Sequence, residues 1–425
     1  MKSKWIRLKM KDACDQIFSG GTPDTRKSEY WNGTLNWLSS GETRNKFIRD
    51  TDKKITQLGV DNSSTKLAKV GDVLVASAGQ GLTRGQTSFC LKDTYINQSI
   101  ISLRANKKKL NPLFLFYMLT NKYKMLRDMS DANSIRGSLT CKMFENIEIN
   151  IPEDLIYQET VSNILFNYDL LIENNNCRIG ILEKMAKLIY NEWFVKFKFP
   201  SHDKIKMVDS ELGKIPEGWE IKNMKEVADI IDCLHSKKPK VLESGSNLFL
   251  QLDNIGKDGK IELSKKFYIS NEDYKKWTSR IEVYEGDCVI TNVGRVGAVA
   301  QIPSKIKAAI GRNMTAIRPK KIPSSFLIQY LLSKHMSKQK SVKVDSGTIM
   351  DALNVRNIYK LSIIIPDKKI MKEFDDIVGP VRREINNLLA KNIVLSQSRD
   401  SLLLKLISGE IDVSDLGIKV TEMKA

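Results

Sequence analysis

The sequence has few histidines and no clustered cysteines. Both shortages limit the disulfides and metal sites that the chain can form. Its 425 residues include only three His and six Cys, and no two cysteines lie within four residues of each other. Scattered cysteines in a chain of this length argue against a disulfide framework. His202, His235 and His335 have no Cys or carboxylate at a usual metal-ligand spacing, so we expect no metal site.

Long apolar runs are also missing. No apolar stretch reaches the roughly 18 residues that a membrane span requires, and residues 1–12 alternate charged and apolar side chains without a signal-peptide core. We therefore expect a cytoplasmic protein that has no membrane partner.

Positive charge, in contrast, is abundant. The chain has 68 Lys and Arg against 50 Asp and Glu, a net charge of +18, and its pI is about 9.4. At 41% hydrophobic and 28% charged residues, the composition is that of a folded globular protein. So large a basic excess favours an anionic partner, with nucleic acid the usual one.

The most informative pattern is an internal repeat of about 214 residues. The matches that recur at an offset of 214 or 215 are Trp5 with Trp219, Gly71-Asp72 with Gly286-Asp287, residues 96–104 with 310–318, residues 139–144 with 353–358, and Pro152 with Pro366. The unit is too long for a solenoid repeat. An offset held this closely indicates a duplicated domain and a pseudo-two-fold molecule.

Each copy has the same predicted order of elements, which gives an α+β fold class. Short apolar runs predict strands at 72–77, 99–104 and 148–151, and again at 287–291, 314–317 and 361–365. One helix is predicted in each copy, over 112–126 and over 324–339, and a long helical stretch follows each. We expect two similar mixed α/β domains that alternate with two long helices.

The long helices carry heptad-like apolar seams, from Val161 to Trp193 and from Phe374 to Leu406. About 40 residues make a helix of about 60 Å, which is longer than the core of a small domain. We therefore predict that the helices pack on each other as an antiparallel coiled coil, with Asn175 and Asn392 fixing the register. The alternative is one separate core helix in each domain, and Gly379-Pro380 leaves a kink open.

The domain boundaries follow from this pattern. They are 1–151 for the first globular domain, 152–198 for the first long helix, 199–218 for a linker, 219–365 for the second globular domain, 366–408 for the second long helix, and 409–425 for a tail that is either a short strand or irregular.

Polar loops next to the predicted strands supply the candidate nucleic-acid contacts. Glycine-rich loops at 77–86 and 291–297 correspond in the two copies, as do loops at 40–45 and 253–257. The candidate side chains are Gln80, Arg84, Gln98 and Arg136 in the first copy and Arg295, Arg312 and Asn313 in the second. The alternative for each is a plain turn or a solvated strand face. Lysines at 107–109, 237–238 and 320–321 are weaker phosphate candidates.

Motifs for catalysis are weak. Gly79 to Gly85 nearly matches a dinucleotide fingerprint, but the spacing is one residue too long and a strand pattern follows. Asn111-Pro112 partly matches an adenine-methyltransferase loop, yet it fits better as an N-cap and first residue of a helix. Asp24 with Asp52 and Lys54 is only a loose nuclease pattern.

At residues 191–200, 209–219 and 402–411 the sequence resembles the specificity (S) subunits of type I restriction–modification systems. The resemblance implies two target-recognition domains that each read half of a bipartite site in double-stranded DNA. It also implies helices that set the spacing and dock two DNA methyltransferase (M) subunits, with restriction/translocase (R) subunits joining. S-adenosylmethionine, ATP and Mg then belong to those partners, and this chain has no catalytic residue, cofactor or metal. Lys196 and Lys198 depart from the family, which often has acidic residues there.

Two other classes stay open at this point. One is a single-chain DNA methylase or nuclease with a duplicated DNA-binding domain, and the other is a duplicated transcription factor. The missing cofactor loop argues against the methylase.

Overall fold

The structure, a computed structural model, describes residues 4–79, 81–133, 137–242, 244–256, 259–263, 265–345 and 351–414. It divides into a first unit, Met1–Leu171 with Ser396–Ala425, and a second unit, Ile172–Leu395. Each unit therefore contains one globular part and stretches of both long helices. Within the described ranges, every helix is too short or too polar to cross a membrane.

The first unit is built on two sheets. Its strands are β1 Trp5–Lys9, β2 Cys14–Ser19, β3 Trp31–Leu38, β4 Phe47–Ile48, β5 Lys53–Ile55, β6 Lys66–Ala68, β7 Val73–Ala76, β8 Thr87–Cys90, β9 Thr94–Ile96, β10 Ile100–Ala105 and β11 Glu148–Pro152. Its helices are α1 Met10–Ala13, α2 Gln57–Asp61, α3 Pro112–Asn121, α4 Tyr123–Asn133, α5 Cys141–Asn146 and the start of α6, Leu155–Tyr190. The strand orders are β2-β10-β7-β8-β4 and β5-β3-β9-β6, and β1 pairs with β11.

The second unit has a matching central sheet and a smaller second one. Its strands are β12 Met207–Val208, β13 Ile215–Pro216, β14 Glu220–Asn223, β15 Ala228–Asp232, β16 Phe249–Leu250, β17 Cys288–Thr291, β18 Val299–Gln301, β19 Ala309–Ile310, β20 Met314–Pro319 and β21 Ser362–Ile365. Its helices are α7 Met224–Val227, α8 Asn271–Trp277, α9 Ser324–Leu331, α10 Lys334–Val342, α11 Val355–Tyr359 and most of α12, Lys368–Ile407. The central order is β15-β20-β17-β18, with β14-β21, β16-β19 and β12-β13 as further pairs.

The central strands are apolar because both of their faces are covered. β7 and β17 are buried at every residue, and neighbouring α3 is buried from Leu113 to Leu119. Such runs lack the alternation of a half-solvated strand. The same order, β2-β10-β7-β8 against β15-β20-β17-β18, appears in both units. The predicted duplication and the α+β class are confirmed.

The predictions of a single helix over 112–126 and over 324–339 are wrong, because each of these spans includes parts of two helices. α3 ends at Asn121 with Lys122 as its C-cap, and α4 starts at Tyr123. In the second unit, the Ser333 side chain accepts a hydrogen bond from Met336 N and so caps a new helix, α10. The predicted start of α3 is confirmed, because Asn111 Oδ1 accepts hydrogen bonds from Leu113 N and Phe114 N and Pro112 is at N1.

The long helices run over 155–190 and 368–407, inside the predicted spans. A π-helical turn, Asn191–Val195, follows the first. α12 continues through Pro380, with Val378 and Val381 packed in or against the core of the second unit on either side. Residues 410–414 form turns and bends rather than a strand, and Val413 is buried in the core of the first unit.

In each unit, apolar residues of the two long helices share a core. In the first unit, Val161 and Leu165 of α6 join Leu403, Leu406 and Ile407 of α12. In the second unit, Ile179 of α6 packs with Ile385 and Leu388 of α12. Residue numbers rise along α6 where they fall along α12, so the two helices pair antiparallel within each unit. Coiled-coil geometry in the strict sense stays a prediction.

Candidate nucleic-acid interface

Three loops of the first unit converge where the central strands β7 and β10 meet. The first hairpin loop, residues 77–86, joins β7 to β8. Ser77 N donates to Ser99 O over 2.9 Å, and Leu139 N donates to Ser77 O over 3.0 Å. The hairpin loop, the turn before β10 and the segment before α5 are therefore joined through one residue.

The second unit repeats this junction. The second hairpin loop, residues 292–298, joins β17 to β18. Asn292 N donates to Asn313 O over 2.8 Å, and Leu353 N donates to Asn292 O over 2.8 Å. We call this end of each central sheet the loop end. The sequence repeat thus corresponds to the same three-loop junction in both units.

A fourth loop contacts each hairpin loop. In the first unit, Thr43 Oγ1 donates to Gln86 Oε1 over 3.3 Å. In the second unit, the guanidinium of Arg295 donates to Ile255 O. These partners lie in the loops predicted at 40–45 and 253–257, although residue 257 lies outside the described ones. Each loop end therefore combines four segments that are separate in sequence.

Several predicted DNA-contacting side chains lie at these loop ends. Gln98 is exposed and its Oε1 accepts a hydrogen bond from Thr22 Oγ1 over 2.6 Å. Arg312 and Arg295 are exposed, and Asn313 takes a left-handed conformation with φ +65°. Their contact with DNA stays a prediction. Gln80 and Arg136 lie outside the described residues.

Arg84 is placed differently from the other candidates. Its side chain is 14% exposed, and its guanidinium contacts Asp131 Oδ1 at 2.8 Å and Ser130 Oγ at 3.3 Å on α4. In this conformation the side chain binds its own domain, and its role in base contact also stays a prediction.

The lysine clusters divide between the two ends of the central sheets. Residues 107–109 and 320–321 follow the far ends of β10 and β20, strands of six residues. At about 3.3 Å per residue, this places them roughly 20 Å from the loop end. Lys237 and Lys238 instead follow β15, whose last residue pairs with the start of β20. Of the three clusters, this one lies on the side of the loop end.

Two further cations, which the sequence patterns did not single out, contact the hairpin loops. Arg127 of α4 donates through Nη1 to Gly81 O over 2.8 Å, and Tyr123 OH donates to Leu82 O over 2.8 Å. Lys340 of α10 donates through Nζ to Gly297 O over 2.8 Å and to Leu331 O over 3.2 Å. Burial lowers the pKa of Lys340 to about 8. Arg127 and Lys340 are 213 residues apart, one less than the repeat offset, and this spacing was the signal available in the sequence.

A buried ion pair recurs in both central sheets. Arg104 donates to Asp72 through Nε over 2.9 Å and through Nη2 over 2.7 Å. Arg318 donates to Asp287 in the same way over 2.9 and 2.6 Å. Asp72 and Asp287 are 2% and 1% exposed. The pKa of each arginine is raised, and the largest cause is its hydrogen bond to the aspartate. These residues lie in the matched repeat segments and serve the fold.

Charged residues also fasten each globular part to the long helices. In the first unit, Asp169 of α6 is 4% exposed and accepts from Lys46 Nζ over 3.1 Å, from Tyr117 OH over 2.8 Å, and from Arg399. In the second unit, Lys260 Nζ contacts Glu183 of α6 at 2.8 Å. Lys46 and Lys260 are 214 residues apart, so the repeat preserves the lysine.

The predicted register residues of the long helices lie in contact. Asn175 Nδ2 donates to Asn392 Oδ1 over 2.8 Å, and Asn392 Nδ2 donates to Asn176 Oδ1 over 2.9 Å. Arg178 and Glu384 form an ion pair at 3.0 Å nearby. That this layer sets the register stays a prediction.

The spacing argument against metal ligands is wrong for His235. Asp232, Cys233 and His235 place one ligand atom each within 4.8 Å of one another, because the chain leaves β15 and folds back over three residues. His235 Nε2 lies 2.7 Å from Asp232 Oδ2, and burial raises the pKa of the Cys233 thiol. A protonated thiol and a carboxylate already engaged do not make a ready metal site.

Comparison with known proteins gives a family match over most of the chain. The family model for the type I restriction modification DNA specificity domain matches residues 2–184 and 216–395. These two ranges are the two copies of the repeat.

Individual relatives are similar over nearly their whole length. The type I restriction enzyme MjaIX specificity subunit of Methanocaldococcus jannaschii is 26% identical over 97% of this chain and 94% of the relative. The HindI specificity subunit of Haemophilus influenzae is 22% identical over 88% of this chain and 94% of the relative. The crystal structure of a type I S subunit from M. genitalium has the same fold, with a TM-score of 0.59 at 15% identity, over 95% of this chain and 96% of that one.

Proposed function

The chain belongs to the family of type I restriction–modification DNA specificity proteins, and from that premise we propose how it reads its target. It is a DNA sequence-recognition subunit and not a catalytic one. The proposal is that the loop end of the first unit reads one half of a bipartite target in double-stranded DNA and the loop end of the second unit reads the other.

The observation that carries this proposal is the repeated loop junction. In both units the same backbone hydrogen bonds join the hairpin loop to the turn before β10 or its counterpart β20. The loops themselves differ in sequence, with Gln98 in the first unit opposite Arg312 in the matched segment of the second. A common frame with unlike side chains supports two unlike half-targets, since bases are distinguished by the donors and acceptors presented to them.

Charge supports a duplex partner. A net charge of +18 favours attraction to phosphates and predicts binding that weakens as salt concentration rises. We also propose the wider assembly that the resemblance implies, in which two M subunits dock on α6 and α12 and R subunits join them. S-adenosylmethionine, ATP and Mg act in those subunits, and the complex works in the cytoplasm. Lys196 and Lys198, which lie just beyond the end of α6, alter a partner contact relative to the family.

The test is an adenine methylation map of cells that contain this chain and its partner methyltransferase. The matched control is the same strain without the chain. We expect methylation of one split motif with two unlike halves, and its loss in the control. A map that does not change would contradict the proposal, and so would cleavage or methylation of DNA by the purified chain alone with Mg²⁺ and S-adenosylmethionine.

A further inference from the structure

Each hairpin loop is held by the helix packed beneath it, and a cation makes the contact. In the first unit, Arg127 and Tyr123 of α4 donate to two successive carbonyl oxygens, Gly81 O and Leu82 O, each over 2.8 Å. These carbonyls belong to the tip of the loop, where the Leu82 side chain is 55% exposed. An exposed tip would otherwise have few constraints on its backbone.

In the second unit a lysine, and not an arginine, binds the backbone of the hairpin loop. Lys340 Nζ donates to Gly297 O over 2.8 Å and to Leu331 O over 3.2 Å. Its methylene stem also packs on the glycine, because a Cβ at residue 297 would lie 3.2 Å from Lys340 Cδ. Gly297 has φ +74° and Gly85, its counterpart two residues before the return strand, has φ +79°. The two loops thus share a left-handed glycine before the return strand, although the brace meets Gly297 O in the second loop and Gly81 O and Leu82 O in the first.

We propose that Arg127 and Lys340 are positioning residues for sequence reading, each of which holds the hairpin loop of its own unit in the conformation that meets DNA. The inference rests on the proposed function, since it assigns the hairpin loops to the reading surface. In this scheme each cation acts through the loop carbonyl that it binds, Gly81 O for Arg127 and Gly297 O for Lys340, and neither is assigned a base contact.

In the first unit, peptide geometry gives the brace a direct effect on the side of the loop that faces away from α4. A trans peptide points its N–H opposite to its C=O, so binding Gly81 O and Leu82 O from α4 turns the N–H groups of Leu82 and Thr83 away from that helix. Backbone N–H groups are common phosphate donors. A loop fixed in advance also loses less conformational entropy on binding.

The experiment compares Arg127→Met and Lys340→Met with matched controls on the same helices, Lys124→Met and Lys338→Met. Both control lysines are exposed, and each variant removes one positive charge. The full chain is assembled with its partner methyltransferase. Two quantities are measured: amide hydrogen exchange of each hairpin loop, and the ratio of methylation rates on the mapped target and on targets with one base changed in either half.

We expect Arg127→Met to raise exchange in residues 81–86 and to lower discrimination about tenfold, in the first unit's half only. Lys340→Met should act on the other half only, and Arg127→Lys, which keeps a cationic donor, should recover most of the loss. The control variants should leave discrimination within twofold of the wild type.

Three results would overturn the inference. The first is an equal loss of discrimination in both halves, and the second is a loss of the same size in the control variants. The third is faster loop exchange with unchanged discrimination. If the wild-type chain directed no methylation at all, the proposed function would fail, while unchanged loop exchange in the two Met variants would separately refute the brace.

Discussion

The Asp72–Arg104 and Asp287–Arg318 pairs show what single residues contribute to the stability of each unit. Each carboxylate is at most 2% exposed, so its charge has lost its water. A bidentate arginine replaces that water with two charge-assisted hydrogen bonds. Removing the arginine leaves a buried and unpaired charge, which costs more than the pair itself contributes.

We predict that Arg104→Met lowers the free energy of unfolding of the first unit by roughly 3 kcal/mol. Hydrogen exchange of β7 and β10 in a urea series measures that free energy apart from the second unit. The control is Arg26→Met. Arg26 pairs with Asp24 at 2.9 Å but is 88% exposed, so its loss should leave the free energy of unfolding nearly unchanged. Equal effects of the two substitutions would show that the buried pair has no special role.

Among the elements, the long helices combine apolar seams with a polar layer. Asn175, Asn176 and Asn392 bond to one another within the second unit, close to the apolar contact of Ile179 with Ile385 and Leu388. A polar layer in an apolar seam weakens packing but penalises every other register. The asparagine layer therefore lowers the stability of the helix pair and favours one register of α6 against α12.

We predict that the double variant Asn175→Val, Asn392→Val raises the thermal unfolding temperature and relaxes the gap between the two half-targets. Valine packs well in a seam and tolerates a shifted register. Thermal unfolding of the chain and methylation of targets with the gap lengthened or shortened by one base pair measure the two effects. Arg178→Met is the matched control outside the asparagine layer. A higher unfolding temperature without a change in gap preference would remove the register role from these asparagines.

Most elements of the central sheets could be predicted because their sequence signals are local. Buried runs such as residues 72–77 and 99–104 fall on β7 and β10, and Asn111-Pro112 begins α3 as expected. The long helices were evident from their seams. The loop junction was partly predictable, because the repeat aligned the right loops without showing that they meet.

What could not be predicted depends on tertiary contacts. The break between α9 and α10 needs Ser333 as a cap, and serine in a sequence does not reveal whether it ends a helix or lies on its surface. Lys46 and Lys260 recur at the repeat offset, but their acceptors, Asp169 and Glu183, do not. Asp232, Cys233 and His235 are local neighbours, but the sequence does not show that the chain folds back after β15 and brings their side chains together.

At the scale of the whole molecule, the two units share a frame and differ around it. The central strand order is common, but the first unit adds the sheet β5-β3-β9-β6 where the second has only the short pair β16-β19 among its described residues. Different surroundings of an identical junction are what two unlike half-targets require. Because the central sheet and its loop junction are common to both units, a globular domain from a relative should fit in place of either one.

We predict that replacing residues 219–365 with those of a relative changes only one half of the methylated motif. The graft should keep Phe326, whose ring centroid lies 5.0 Å from that of Phe194, so that the domain still packs on the π-helical turn after α6. A methylation map before and after the exchange is the measurement, and exchange of residues 1–151 is the reciprocal control. A change in both halves would show that the units do not read independently.

The core of the first unit contains Leu403, Leu406, Ile407 and Val413 beside residues of α3 and α6. A ribosome makes those four residues only after the 224 residues of Ile172–Leu395, which form the second unit. At about 5–20 residues per second, the interval is roughly 11–45 s. During that time the globular part made first keeps an uncovered apolar face, while the second unit has all of its own segments and is free to fold. The second unit can therefore be completed before the first, although the globular part of the first is made earlier. The growing chain has an aggregation-prone surface until residues 403–413 pack against α3 and α6.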